Sequence, residues 1–224
     1  MSDLTDFLQL TPYFNNLPEK NDLEDIGRYV LEKKAEKGEL IVAEGDQPQA
    51  LYFVVSGAIK LFKTSPEGKE QIFGIVYRGG TFNDVAVFDG GRNPVGAQAM
   101  VASMLYSIRK GDIEVVIKKH PGVAINVGKV LASQVRQLGG LVEDLSFKNV
   151  TDRVAKILVE NSGDGSGRPH RLTQQDMAAM AGTAREVVGR SLKSLEDDGL
   201  IKMERHRIII KDIDTLKGVA GASI

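Results

Sequence analysis

The segment "TAREVVGRSLKSLEDDGLI", residues 183 to 201, repeats long polar side chains at a regular spacing. Glu186, Arg190 and Lys193 stand at i, i+4 and i+7, so in a helix they share one face, and Arg185 adjoins it. An arginine can donate two hydrogen bonds to guanine O6 and N7, and a glutamate can accept one from cytosine N4. A solvated face with a pair between Glu186 and Arg190 uses the same residues. The pattern therefore indicates either base recognition in a DNA major groove or surface ion pairing.

Two short helices and a hairpin are predicted to hold this face. Thr173 is a predicted cap of the first helix, Gly182 ends it, and Thr183 with Glu186 predicts a capping box for the second. Two strands around residues 204–206 predict a wing. A winged helix-turn-helix favours DNA recognition over a solvated face. The predicted DNA contacts are Thr173, Thr183, Arg185, Glu186, Arg190, Lys193 and Arg205.

The residues from 29 to 110 are predicted to form short strands. "LYFVVSGAIKLFK", "QIFGIVY" and "AMVASMLYSI" are rich in Val, Ile, Phe and Tyr, and turn signals such as Gly79-Gly80 separate them. This pattern is typical of an all-β barrel or sandwich. With the helices that follow, it predicts an α+β chain.

A long helix is predicted from His120 to about Leu145, where apolar residues recur at helical spacing. Two interleaved series predict a dimer seam, although a helix packed on its own barrel would have the same pattern. The Gly139-Gly140 pair in this helix indicates either close packing between two helices or a soft point, that is, a place where effector binding adjusts the coiled coil. The predicted domains are 1–119, a sensing domain; 120–148, the dimerisation helix and hinge; and 149–224, the winged helix-turn-helix. The predicted seam residues are Val127, Leu131, Gln134, Leu138, Leu141 and Leu145.

Composition excludes several classes of protein. The 224 residues include no cysteine, which rules out disulfides and iron–sulfur clusters. No apolar run approaches the roughly 18 residues of a membrane span, and the start lacks a secretion signal, so we expect a cytoplasmic protein without a membrane partner. The net charge is −1, but residues 168–211 carry 9 Lys and Arg against 6 Asp and Glu. The carboxyl end is therefore locally basic, as a DNA-binding domain requires.

Enzymatic and metal-dependent functions are not expected. A metal enzyme on a small β-barrel needs several histidine or carboxylate ligands inside the barrel, and the three histidines, His120, His170 and His206, lie outside the predicted strands. Haem ligation by His120 is an alternative to an ordinary surface role, and we favour the surface role. We expect no catalytic residue and no metal.

The motifs together resemble the CRP/FNR transcription regulators. "TAREVVGRSLKSLEDDGLI" is similar to their recognition helix, and "KGELIVAEGDQPQALYFVVSGAIKLF" to their β-roll, with Gly38, Glu44, Gly45 and Gly57 at the expected turns. The resemblance implies an N-terminal β-roll of the cyclic-nucleotide-binding, jelly-roll type, a long dimerisation helix and a winged helix-turn-helix.

The resemblance also implies a homodimer that binds palindromic double-stranded DNA with TGTGA-like half-sites. RNA polymerase, contacted by the loop 161–170, is a candidate partner, and a passive connector is the alternative for that loop. The residues that correspond to the base-reading ones are Arg185, Glu186 and Arg190.

The effector cassette departs from the family pattern. Members that bind cyclic AMP have Gly-Glu-Leu and, about ten residues later, Arg-Ser-Ala, where this chain has Asn-Asp-Val and Asn-Pro-Val. A proline lacks an N–H donor, and the nearest arginine lies one position early, so we predict that an unknown small molecule other than cyclic AMP is the effector. A ligand-free regulator and a ligand-binding module acting on a protein partner are the alternatives. The predicted effector-pocket residues are Asn83, Asp84, Val85, Arg92, Asn93, Pro94, Val95 and Leu138.

Overall fold

The structure, a computed structural model, describes residues 2–17, 21–161, 171–204 and 207–221. It divides into two compact units. The first contains the residues up to Thr64 together with Phe73–Gln137, and the second contains Ser65–Ile72 and the residues from Leu138 onward. None of the helices in these ranges is long and apolar enough to span a membrane.

The first unit is built on two antiparallel four-stranded sheets, as the strand-rich segment predicts. Their strand orders are β1-β8-β3-β6 and β2-β7-β4-β5. The strand-rich segment "AMVASMLYSI" contains the last residue of β7 and most of β8. The elements are α1 (Ser2–Leu10), α2 (Asp22–Gly27), β1 (Leu31–Ala35), β2 (Leu40–Val42), β3 (Ala50–Ser56), β4 (Ile59–Thr64), β5 (Glu70–Val76), β6 (Thr81–Phe82), α3 (Asp84–Asp89), β7 (Gly96–Ala99), β8 (Ser103–Arg109), α4 (Lys110–Lys119) and α5 (Gly122–Phe147).

Strand β3 is apolar at consecutive positions because both of its faces are buried. Tyr52 and Val54 pack in a core that both sheets share. Leu51 and Phe53 point the other way, into a second core formed with α1, α2, α4 and the first half of α5. The helices therefore cover one face of the roll, and α5 begins as part of that cover.

Gly57 closes the turn between β3 and β4 at a position where no other residue fits. Its φ of +100° lies in the left-handed region, and a Cβ there would stand 2.1 Å from Ser103 Oγ. The glycine permits the close approach of the turn to β8, which explains its place in the roll motif.

The second unit contains the winged helix-turn-helix that the sequence predicts. Val188, Leu192 and Leu195 form the buried stripe of the second helix of the motif, and they pack in one core with residues of α6, α7 and α9. The wing is an antiparallel pair of strands in which Ile201 lies opposite Ile210. The elements after α5 are α6 (Val150–Asn161), α7 (Gln174–Ala181), α8 (Arg185–Asp197), β9 (Ile201–Glu204), β10 (Arg207–Ile210) and α9 (Ile213–Val219).

Candidate DNA-binding surface and effector cassette

The turn between α7 and α8 is fixed by local hydrogen bonds. Thr173 caps α7, because its side chain accepts from the Asp176 N–H at 3.1 Å while the Asp176 carboxylate accepts from the Thr173 N–H at 2.8 Å. Gly182 ends α7 with a left-handed φ of 66°. The predicted cap and stop are both confirmed, and the Thr173 hydroxyl is engaged in the cap.

The capping box predicted from Thr183 and Glu186 is wrong. Helix α8 begins at Arg185, so Ala184 has the cap position, and its methyl side chain makes no cap hydrogen bond. Thr183 lies one residue too early, and its N–H donates to the Ala178 carbonyl at 3.0 Å. The Glu186 carboxylate is therefore not used in a cap and remains on the surface.

Arg185, Glu186 and Arg190 lie exposed near the N-terminal end of α8. Among the residues that the structure describes, none of these three side chains has an ion pair or a hydrogen bond, and the alternative pair between Glu186 and Arg190 is not formed. Lys193 differs, because it pairs with Asp197 at 2.9 Å and with Glu196 at 3.4 Å. The hydrogen bond to Asp197 raises the pKa of Lys193. Of the four polar side chains, Arg185, Glu186 and Arg190 therefore keep hydrogen-bond donors or acceptors that no described residue occupies.

A shallow depression of about 550 Å³ lies between the start of α6 and α8. Thr151 and Arg190 line it, and the Thr151 hydroxyl donates to Ser191 Oγ at 3.1 Å. Asn149 caps α6 by accepting from the Asp152 N–H at 3.0 Å. The N-terminus of α6 and the Arg190 guanidinium both favour negative charge beside α8.

The wing is attached to α8 by Glu196, whose carboxylate accepts from the Met203 N–H at 2.7 Å. This contact fixes the second half of β9 against the last turn of α8. Arg205 lies outside the described residues, and so does the loop 162–170.

The effector cassette contains a buried carboxylate with three hydrogen-bond donors. Asp84 is 5% exposed. It accepts from the Tyr13 hydroxyl at 2.8 Å, from Gln134 Nε2 at 2.6 Å and from the Val85 N–H at 2.9 Å. Burial, and then the charge of Asp84, raise the pKa of Tyr13, so the phenol keeps its proton and remains a donor. The carboxylate therefore ties the residues after α1 and the middle of α5 to α3.

The other polar side chains of the cassette bond to the roll itself. Asn83, at a left-handed φ of 69°, donates to the Ala50 carbonyl at 3.0 Å. Arg92 donates to the Gly45 carbonyl at 2.8 Å, and Asn93 Nδ2 to the Ala43 carbonyl at 3.0 Å. The buried Asn93 Oδ1 has no partner among the described residues.

The apolar positions of the cassette differ in burial. Pro94 and Val85 are exposed, and Val95 is half-buried. Leu138, which was placed in the effector pocket by counting back along α5, is also exposed. The residue of α5 that reaches Asp84 is Gln134, one turn earlier.

Helix α5 has two kinds of apolar surface. Val127 and Leu131, predicted for the dimer seam, pack in the core of their own roll, as the alternative for this helix anticipated. Gln134, also predicted for the seam, bonds to Asp84, and Leu141 is half-buried. An exposed apolar face begins later and is formed by Val135, Leu138, Val142 and Leu145. Phe147, at the end of the helix, is also exposed but lies on another side.

His120 is held between two carboxylates of α2. Its Nδ1 lies 2.9 Å from Asp22 Oδ1 and its Nε2 lies 3.0 Å from Asp25 Oδ2. Both carboxylates are hydrogen-bonded only if the ring carries both protons. With both nitrogens engaged, His120 joins α2 to the start of α5. Among the described residues, no group of three or more His, Cys, Asp or Glu side chains is placed so that it could hold a metal ion.

Comparison with known proteins identifies the family. The chain matches the cyclic nucleotide-binding domain over residues 32–120 and the Crp-like helix-turn-helix domain over residues 152–219. The cyclic AMP receptor protein of Thermus thermophilus is 30% identical over 211 residues, which cover 94% of this chain and 97% of that protein. This chain belongs to the CRP/FNR family of transcription regulators. The family is not enzymatic, and its helix-turn-helix domain binds DNA.

Further relatives agree with this assignment. The CRP-like cAMP-activated global transcriptional regulator of Mycobacterium tuberculosis is 27% identical over 187 residues, which cover 80% of this chain and 84% of that protein. The solved structure of FixK2 from Bradyrhizobium japonicum has the same fold, with a TM-score of 0.78 and 21% identity over 87% of this chain and 99% of that one.

The cassette of this CRP/FNR regulator departs from the phosphate-binding pattern of the family at Asn83 and Pro94. Pro94 lacks an N–H donor, and Asn83 stands where the family pattern has glycine, whereas Asp84 aligns with the glutamate of that pattern and retains a carboxylate. The Val85 N–H and the Arg92 guanidinium already donate within the protein. The family's cyclic nucleotide-binding domain implies a small-molecule effector.

Proposed function

We propose that two copies of this regulator form a homodimer that binds palindromic double-stranded DNA with TGTGA-like half-sites. The observation that carries the proposal is the group of Arg185, Glu186 and Arg190, which are exposed without partners among the described residues on the N-terminal half of α8. In helix-turn-helix proteins this part of the second helix meets base edges in the major groove. The protein would act in the cytoplasm, where it meets bacterial DNA and the candidate partner RNA polymerase.

The three side chains are suited to a half-site that contains both guanine and cytosine. Each arginine can donate two hydrogen bonds to the O6 and N7 atoms of a guanine, and Glu186 can accept from the N4 amino group of a cytosine. Lys193 is already neutralised by Asp197 and Glu196, so we assign it a minor part.

The exposed apolar face of α5 is the proposed dimer interface. Val135, Leu138, Val142 and Leu145 follow one another at spacings of three, four and three residues, which is the repeat of a coiled-coil seam. Val135 is 68% exposed, which is an unusual state for a large apolar side chain within a continuous stripe. A second copy of the same helix would cover the stripe with an identical one.

We propose that cyclic AMP does not control this regulator. Pro94 offers no N–H, and the Val85 N–H and Arg92 already donate within the protein, so a neutral or apolar metabolite is the effector class that agrees with Val95 and the exposed Val85. A regulator that needs no ligand is the second candidate, because Gln134 and Tyr13 already occupy the Asp84 carboxylate. Isothermal titration of nucleotide-stripped protein with cyclic AMP tests this proposal, and no binding at micromolar concentrations is expected. A micromolar dissociation constant that disappears in Arg92→Ala would contradict it.

Fluorescence anisotropy tests the proposed DNA binding. A labelled duplex with two inverted TGTGA half-sites should bind at least about a thousandfold more tightly than a scrambled duplex of equal length, at the same salt concentration. Equal affinity for both duplexes would contradict sequence recognition and leave only nonspecific binding to phosphates.

A further inference from the structure

Asp144 is a buried carboxylate near the C-terminal end of α5, and it is 7% exposed. Lys148, which directly follows the helix, lies 2.9 Å from Asp144 Oδ1, and Lys156 of α6 contacts Oδ2. Burial alone would raise the pKa of this carboxyl, but the hydrogen bonds from Lys156 and Lys148 lower it below its ordinary value. We call these three residues the Asp144 clasp. It joins the last turns of α5 to α6 across the bend between them.

The bend is also connected to the rest of the second unit. Lys148 Nζ donates to the Ala220 carbonyl, at the end of α9, at 2.6 Å. Arg153 of α6 donates to the Lys148 carbonyl at 2.6 Å and to the Ala181 carbonyl, at the end of α7, at 3.0 Å. Helices α6, α7 and α9 share one core with α8. The connection from α5 to the helices of this core is therefore made by hydrogen bonds of Asp144, Lys148 and Arg153.

The clasp lies between two parts of one compact unit that the proposed dimer requires. Leu138, Val142 and Leu145 belong to the exposed apolar face, and Arg190 belongs to the recognition helix α8. If α5 pairs with its copy, the two-fold axis runs along this face. The angle at the bend then determines how far apart the two recognition helices lie, and that distance must match the spacing of the half-sites.

We propose that Asp144 is a positioning residue. It holds the two recognition helices of the dimer at one separation, so that the dimer prefers DNA whose half-sites have the matching spacing. This inference rests on the proposed function, because it requires a dimer that reads a palindrome. Without the carboxylate, the ammonium groups of Lys148 and Lys156 repel each other across the bend, and α5 is no longer held in one direction. If α5 can adopt several directions, the two recognition helices also reach half-sites at an incorrect spacing, and the preference for the correct spacing falls. A general loss of stability would instead weaken DNA binding equally at every spacing.

Asp144→Asn is the test, and Glu143→Gln is the matched control, since Glu143 is the adjacent carboxylate on α5 and is exposed. Anisotropy is measured on TGTGA palindromes with the preferred spacing and with one base pair inserted or removed at the centre. We expect the preference for the correct spacing to fall in Asp144→Asn by about tenfold, the scale of one charge-assisted hydrogen bond. Glu143→Gln should keep the wild-type preference.

Lys156→Met is the second variant, because it removes the link to α6 while Lys148 still pairs with Asp144. It should reduce the spacing preference in the same direction. If Asp144→Asn and Lys156→Met both keep the wild-type preference for the correct spacing, and both still bind the palindrome more tightly than scrambled DNA, the proposed role of Asp144 is overturned and the proposed function stands. Failure of the wild type to distinguish palindrome from scrambled DNA would instead overturn the proposed function. Hydrogen exchange in the DNA-free protein tests the Asp144 clasp without DNA binding. The amides of residues 144–149 should exchange faster in both variants than in the wild type, and unchanged exchange would overturn the clasp.

Discussion

Gln134 of α5 donates a hydrogen bond to the buried Asp84 carboxylate over 2.6 Å, which joins two residues 50 positions apart in the sequence. The carboxylate has no cation among its bonded partners, so its charge is balanced by donors alone. The loss of one donor leaves a buried charge with fewer partners, and such a loss is costly. This contact therefore determines how firmly the first half of α5 is held against the roll.

Replacing Gln134 by Glu should destabilise the first unit. The new carboxylate faces Asp84, so a charge-assisted hydrogen bond is replaced by repulsion, and the free energy of unfolding should fall by about 2 kcal/mol at pH 8. Urea unfolding measures the change. Gln137→Glu, the same substitution at an exposed position of α5, is the control and should change little. Equal stability of the two variants would show that the hydrogen bond does not contribute.

Replacing Leu138 by Asp should convert the dimer to monomers, because a charge in the apolar face of α5 is desolvated when two copies pair. Sedimentation equilibrium measures the mass. Ser133→Asp places the same charge at an exposed position on the opposite side of α5, and it should remain dimeric. Persistence of a dimer in Leu138→Asp would place the interface elsewhere.

Replacing Arg190 by Ala should reduce sequence-specific binding by about 1 to 3 kcal/mol, the value of one bidentate contact to a guanine. Lys193→Ala should cost clearly less, because Asp197 and Glu196 already neutralise that side chain. Anisotropy on matched and mismatched half-sites separates the two. Equal losses on both DNAs for Arg190→Ala would mean that Arg190 contacts a phosphate and reads no base.

Acidification should weaken the contact between α2 and the start of α5. The hydrogen bond from His120 lowers the pKa of Asp25 from its ordinary 3.8, so the folded state favours the charged carboxylate. The resulting stability is fully present above pH 3.8 and is lost as the pH falls through the lower folded pKa. The urea concentration at the midpoint of unfolding should therefore fall less steeply with decreasing pH in Asp25→Asn than in the wild type. Glu24→Gln, next to it on α2 and exposed, should retain the wild-type slope, and an identical slope in Asp25→Asn would contradict the assignment.

The winged helix-turn-helix could be predicted from sequence because local signals mark it. Thr173 and Gly182 act on their own neighbours, and Val188 and Leu192 follow the helical period. The error at Thr183 was also local: its spacing to Glu186 matches a capping box, but the backbone gives the cap position to Ala184. A pattern of residue types does not determine which of two adjacent residues begins a helix.

The contacts around α5 could not be predicted in the same way. Helical periodicity shows that Val127 and Leu131 share a face, but it does not show that this face packs on the roll. Gln134 and His120 bond to residues 50 and 98 positions away, and no local spacing indicates such pairs. Helices α1 to α4 were not predicted, and α2 and α3 have only six residues each.

The Gly139-Gly140 pair of α5 lies in open space within this chain. No described atom lies within 4 Å of a Cβ built on either glycine. Close packing within this chain therefore does not explain the pair, and packing against a second copy and a soft point of the helix are the two explanations that remain.

Selection of DNA from a random library by the purified wild-type protein, without added nucleotide, tests the central claim most directly. The selected sequences should converge on a palindrome with TGTGA-like half-sites whose centres lie about one helical turn apart, with two chains bound per duplex. Arg185→Ala should lose the preference at one base position of each half-site. Selection of no common sequence, or of a single half-site by one chain, would contradict a homodimer that reads DNA through Arg185, Glu186 and Arg190.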